Sequence, residues 1–240
     1  MSKIKDEKRF GSIKAMNRTD TTLEVCIYGD IVATEGERRN YEDVSPVQMK
    51  EFLEYAGNRE LDIYINSIGG DAYAGIGIYN MLKAYPQKKR VYIEGLAGSI
   101  SSVIAFVGDE IYMPANSSLM IHNAWAGYVG TAKEFEKVVE YLQRLDDVIA
   151  DIYCSKIKNP EINKEKILEM MSAETWFSGT EASQIFNIEV TQAVNIYAMI
   201  NDEKRFKHIP KNLLRTNDIQ INEKLNLEKE KLNLLLMMEG

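Results

Sequence analysis

Between Thr22 and Tyr197 short apolar runs take turns with stretches whose apolar residues recur every three or four positions. The runs are Thr22–Gly29, Leu61–Ser67, Arg90–Glu94, Glu110–Met113, Leu119–Trp125 and Glu189–Tyr197. The helical stretches open at Ser45-Pro46 and at about Thr180, and otherwise span Ala72–Tyr85, Ser99–Val107, Thr131–Lys158 and Lys164–Met171. Strands that alternate with helices pair in parallel through crossovers, so the pattern predicts an α/β domain. Ser45 suits a helix N-cap and Pro46 the first helical position, with Val47, Phe52, Leu53 and Tyr55 turned inward. Ile76, Ile78, Tyr79 and Leu82 do the same for the next helix. Phe135, Val138, Val139, Leu142, Leu145, Val148, Ile149 and Ile152 draw one long stripe down the longest. Gly95–Gly98 reads as a tight turn.

The flanks differ from this centre. Residues 1–20 are charged without a sustained period and are expected to be a flexible arm. Residues 21–200 form the folded domain. Residues 201–240 read as a polar linker and an amphipathic tail, where Leu225, Leu232 and Leu235 or Leu236 fall near heptad spacing. The chain ends soon after a run of leucines and methionines, which leaves a truncated chain open.

Charge and rare residues narrow the chemistry. Lys and Arg number 29 against 36 Asp and Glu, a net charge of −7, which disfavours nucleic-acid binding driven by overall charge. No apolar stretch is long enough to span a bilayer and no signal-peptide core precedes the domain, so a cytoplasmic protein is expected. Two cysteines, Cys26 and Cys154, make neither a disulfide framework nor a zinc site. Only two histidines, His122 and His208, are available to any mechanism that needs an imidazole.

Three segments could carry chemistry. In GLAGSISSVIAF a strand ends, small residues turn the chain, and Ser99 lands at the first turn of an apolar helix, where unpaired N–H groups would stabilise an oxyanion. A plain N-cap serine gives the same pattern. Ser101 and Ser102 are rival nucleophiles, placed further into the helix where backbone can satisfy them. In SSLMIHNAW, His122 shares a strand face with Met120 and could serve as the base such a serine needs; a hydrogen-bonded structural histidine is the alternative. His208 competes weakly. In INSIGGD two glycines let backbone N–H groups point into a cleft. That loop lacks the G-K-[ST] of a phosphate loop and the G-x-G-x-x-G of a dinucleotide site.

Read in order, INSIGGDAYAGIGIYNML, GLAGSISSVIA and SLMIHNAW resemble the caseinolytic (Clp) protease proteolytic-subunit family, and more closely its phage and prophage head-maturation (prohead) protease branch. The resemblance covers roughly residues 23–194. It implies the Clp protease/crotonase-like spiral of βαβ units, with residues 131–158 as the protruding handle helix. It implies Ser99 as nucleophile, His122 as base, and the backbone N–H groups of Gly70 and Ile100 as the oxyanion hole. The family's usual acid is an aspartate; alignment of Ser178-Gly-Thr-Glu-Ala182 places Glu174 there, in an ETWF form that phage relatives share. Asp146 and Asp147 are alternatives that read as solvated. Residues 69–75 and 123–130 would border the substrate cleft, with Gly69, Asp71, Asn123, Ala124 and Trp125 as contacts, and an extended peptide could pair along it.

By the same resemblance the protein would be a serine endopeptidase that needs no metal or organic cofactor. It would form homo-oligomeric rings, heptameric and open to stacking, and act on scaffold or capsid precursors in the host cytoplasm. The family's unfoldase docks through hydrophobic pockets and N-terminal loops. The charged segment MSKIKDEKRFGSIKAMNR does not look like such a loop, which puts ATPase dependence in doubt. Three other readings stay open: a housekeeping-type peptidase subunit working with an unfoldase, an enoyl-CoA hydratase or isomerase that uses the same paired N–H groups, and an inactive ring-forming protein. A Ser–Lys signal-peptide-peptidase relative is disfavoured, because no membrane segment is present and His122 lies in its motif.

Overall fold

The centre of this fold is a set of parallel strands whose apolar residues are buried at alternate positions: Leu23, Val25 and Ile27, then Leu61, Ile63 and Ile65, then Val91 and Ile93. The computed structural model describes residues 7–11, 13–17, 19–193, 206–210 and 213. Strand β3 (Thr22–Ile27) pairs in parallel with β4 (Glu60–Ser67), and β4 in parallel with β5 (Lys89–Gly98). Helix α1 (Pro46–Ala56) forms the first crossover and α2 (Ala72–Ala84) the second. Ser45 caps α1 in a capping box with Gln48, and Asp71 caps α2. Short helix α3 (Ile100–Ala105) leads to β6 (Glu110–Pro114) and β7 (Ser118–Ile121). The long α4 (Ala132–Cys154), α5 (Lys164–Ser172), β8 (Thr175–Ser178), α6 (Gly179–Ile185) and β9 (Glu189–Thr191) complete the order. The architecture is the expected mixed α/β one. Among the described residues no helix is long and apolar enough to cross a membrane.

The placement of the site follows from β5, which serves two neighbours in turn. Its first half pairs with β6, Arg90 to Tyr92 against Glu110 to Tyr112; its last three residues pair with β7, Leu96 to Gly98 against Ser118 to Met120. Gly95–Gly98 is therefore strand rather than the expected tight turn. On its other side, past a shift in register between Ile65 and Ser67, β4 brings Ser67 beside Ala97. Three parallel strands thus end together, and the loops that follow them meet at their carboxyl ends, where open α/β sheets place their ligands.

Within the expected flexible arm of residues 1–20, the described residues 7–10 and 13–17 form strands instead. Glu7–Phe10 (β1) and Ile13–Asn17 (β2) form an antiparallel hairpin that adds to β3. The turn uses Gly11 at φ 60°, and Ile13 and Ala15 are buried in the core. The charged residues between them hid a period of two. In α1 the buried positions are Gln48, Met49, Phe52 and Ala56, while Val47 faces solvent at 54% exposure. The stripe on α4 divides: Leu145 and Ile149 are buried, whereas Phe135, Val139 and Val148 are exposed. The chain divides into two compact units, Met1–Ala198 and Met199–Gly240. The expected strand ends at Thr191 among the described residues, and the tail helix lies outside them.

If the hairpin belongs to the core, Ile13→Ala should lower unfolding stability by about 2–5 kcal/mol, seen as a lower urea midpoint. An unchanged midpoint would return residues 7–17 to the status of an arm.

Candidate active site

Ser99 follows the last residue of β5 and precedes α3, and its backbone stands at φ 54° and ψ −130°. A side chain in this region meets its own backbone, so the conformation costs on the order of 1–3 kcal/mol and persists only where neighbours impose it. Here they do. The Ser99 N–H donates to the Met120 carbonyl at 3.0 Å, extending the β5–β7 ladder. The Ser101 hydroxyl donates to the carbonyls of Gly98 (2.8 Å) and Ser67 (2.7 Å), tying the turn to β4. The Ser102 hydroxyl donates to the Ser99 carbonyl at 2.5 Å and is 2.7 Å from the Tyr153 hydroxyl. Both rival serines are fully buried and occupied by structure. Of the three serines, Ser99 presents its hydroxyl to an imidazole: His122 Nε2 lies 2.7 Å from Ser99 Oγ.

His122 is the residue after β7. The β7–β8 ladder ends with Ile121 opposite Thr175, which leaves His122 and Glu174 as the neighbouring residues just beyond that last pair. Glu174 is buried and stands at φ 50°. It and Ser99 are the only non-glycine residues with positive φ among the described residues. One carbonyl joins the two segments: Met171 O accepts the N–H of Asn123 at 3.2 Å and that of Glu174 at 3.1 Å. Trp176 Nε1–H approaches Glu174 Oε1 at 3.4 Å.

The glycine pair closes the third side. Gly69 is at φ 97°, and a Cβ there would stand 2.8 Å from Ser99 Cβ and 3.1 Å from the Ile100 nitrogen. Glycine is thus required for the loop to lie against the serine. Ile31 clamps the pair, its N–H donating to Gly69 O at 2.9 Å while its carbonyl accepts the Asp71 N–H at 2.7 Å. The N–H of Ile100, at the start of α3, and that of Gly70 find no backbone acceptor among the described residues.

The other expected contacts divide. Asp71 accepts the Ala74 N–H at 2.7 Å and is taken up with capping α2. The Asn123 carboxamide oxygen is buried and has no hydrogen-bond partner among the described residues. Ala124 is half-buried, and Trp125 is 68% exposed at the start of an irregular segment that runs to Gly130. His208 is exposed and lies in the second unit. Asp147 is solvated and pairs with Lys164 at 2.7 Å. Asp146, which reads as solvated in the sequence, is buried instead and accepts the Ala124 N–H at 2.7 Å. Helical arithmetic carries the missed signal: Asp146, Ile149 and Tyr153, at i, i+3 and i+7, share the buried face.

A Clp protease family profile matches residues 30–186. Over 127 residues the chain is 32% identical to an ATP-dependent Clp protease proteolytic subunit of Deinococcus radiodurans, covering 52% of this chain and 60% of that protein. Over 126 residues it is 31% identical to an ATP-dependent Clp protease proteolytic subunit 3 of Rhodococcus jostii, covering 52% and 61%. A proteolytic subunit of Bacteroides thetaiotaomicron is 27% identical over 128 residues, covering 52% and 57%. The matched region therefore spans about 60% of the length of these relatives.

The strain at residue 99 can be measured. Glycine tolerates φ 54° and alanine does not, so Ser99→Gly should be more stable than Ser99→Ala by about 1 kcal/mol in denaturant unfolding. The reverse order would mean that the serine backbone is unstrained.

Proposed function

The chain belongs to the Clp protease family, and from that premise we propose that it is a serine endopeptidase that cleaves peptide bonds through an acyl-enzyme. The observation that carries this reading is the 2.7 Å contact between Ser99 Oγ and His122 Nε2, formed at a strained serine. In the proposed reaction the Ser99 hydroxyl donates its proton to Nε2 as its oxygen attacks the scissile carbonyl. The ring proton then sits on Nδ1, and Glu174 is assigned to hold that tautomer. The N–H groups of Gly70 and Ile100 donate to the tetrahedral oxyanion. His122 passes its proton to the leaving amine, and water repeats the sequence to release the acid. An oxyanion donor of this kind is worth about 2.7–4 kcal/mol. The orphan Asn123 oxygen is suited to accept a peptide N–H. Residues 124–130 are proposed to hold an extended peptide, with Gly69 opposite.

The finer assignment, processing of phage scaffold or capsid precursors by a cytoplasmic homo-oligomer, rests on the ETWF form at Glu174. A heptameric ring is the assembly proposed. The exposed apolar residues Phe135 (46%) and Val139 (51%) on α4 support association with further copies. The folded domain expected at 21–200 is proposed to include the hairpin at residues 7–17 as well, with a tail from 201.

A specific observation favours the housekeeping reading beside it. A cavity of about 490 Å³ on the sheet is lined by Tyr28, Tyr64, Tyr92, Tyr112 and Glu94, and by none of the proposed catalytic residues. Tyr92 stacks on Tyr64 at 4.9 Å and on Tyr112 at 5.0 Å. An aromatic cavity apart from the catalytic residues suits the docking of an unfoldase loop.

Hydrolysis of a fluorogenic decapeptide tests the mechanism. Ser99→Ala and His122→Ala should abolish turnover, and Glu174→Gln should lower kcat on the order of 10⁴-fold, as loss of an orienting carboxylate does elsewhere. Full activity in Ser99→Ala would refute the assignment.

A further inference from the structure

Asp146 stands out among the charged groups that the mechanism leaves unused. It sits on the buried face of α4, 9% exposed, between Leu145 and Ile149. Burial pushes its carboxyl above the usual carboxylate range, while the N–H of Ala124 pulls it the other way. A carboxylate kept where desolvation disfavours its charge needs a compensating partner. Its partner is a backbone N–H two residues past His122, at 2.7 Å.

The position of that hydrogen bond gives it meaning. Going along the chain from His122, Asn123 N–H is tied to Met171 O at 3.2 Å and Ala124 N–H to Asp146. After these two anchors residues 125–130 are exposed, form no regular element, and make no backbone–backbone hydrogen bond among the described residues. Their free N–H and C=O groups are what an extended peptide would pair with. The direction in which they leave the site is set at Ala124.

We propose that Asp146 is a positioning residue for peptide binding: by holding the Ala124 N–H it fixes the path of residues 125–130, and so the register of a peptide laid along them. The proposal rests on the peptidase reading. What the position requires is an acceptor of fixed reach, not a negative charge. Asparagine offers the same oxygen; leucine matches the volume and offers none. Ser99 and His122 are held by β5, α3 and β7, so their reactivity toward a substrate too small to reach residues 125–130 does not depend on Asp146.

The experiment compares wild type, Asp146→Asn, Asp146→Leu and Asp146→Ala on a fluorogenic decapeptide and on a small activated ester. The expected result is a KM for the decapeptide raised at least tenfold in Asp146→Leu and Asp146→Ala, with kcat and ester hydrolysis within about threefold of wild type. Asp146→Asn should match wild type on both substrates. Amide hydrogen exchange at Ala124 should be slow in wild type and Asp146→Asn and fast in the other two, which keeps the idea testable if one variant folds poorly. A wild-type KM in Asp146→Leu, or equal failure of Asp146→Asn and Asp146→Leu, or parallel loss of ester and peptide hydrolysis, would overturn the proposal. A wild-type protein that hydrolyses neither substrate would overturn the peptidase reading itself, and this proposal with it.

Discussion

The split pairing of β5 is the constraint on which the other features rest. A strand that gives its first half to β6 and its last three residues to β7 must end where β7 is still running. The next N–H, that of Ser99, therefore continues the ladder to Met120 while the chain turns sharply into α3. That turn has to be made in a backbone region that ordinary residues avoid. The register then delivers His122, two residues past Met120, to the serine hydroxyl. Change the register by one residue and the imidazole would point to the other face of the sheet.

The strain this arrangement stores is small beside what surrounds it. Val91, Ile93, Ala97, Ile104 and Phe106 are buried in one continuous core around the turn. Fully burying one such branched or aromatic side chain contributes about 1.5–3 kcal/mol, which is comparable to the whole cost of a residue at φ 54°. The hydroxyls of Ser101 and Ser102 lock the turn with hydrogen bonds to the carbonyls of Ser67, Gly98 and Ser99. Two neighbouring serines that look like competitors in the sequence thus act as braces. Glu174 reaches its own positive φ by a parallel device, its N–H returned to Met171 at the end of α5.

Much of this was legible in the residues. Gly98 before Ser99, the histidine at a strand end and the double glycine Gly69-Gly70 mark the candidate site in the sequence, and the glycines stand where another chain segment comes close. The exchange of β5 between two neighbours was not legible, since Gly95–Gly98 has the composition of a turn and becomes strand only through pairing with β7. The hairpin at residues 7–17 has a weak signature because its core residues, Phe10, Ile13 and Ala15, are scattered among lysines and arginines. Asp146 is a different case: a carboxylate on an amphipathic helix reads as solvent-facing, and only the helical phase it shares with Ile149 and Tyr153 marks it as buried. The positive φ of Glu174 has no sequence signature, since glutamate adopts it only under tertiary constraint.

The central claim, that the strained turn makes Ser99 alone of the three clustered serines nucleophilic, is tested most directly by covalent mapping. The protein is treated with a fluorophosphonate, digested, and the adduct located by mass spectrometry. The account predicts a single adduct on Ser99 that disappears in His122→Ala. An adduct on Ser101 or Ser102, or a folded wild-type protein that takes no adduct, would contradict it.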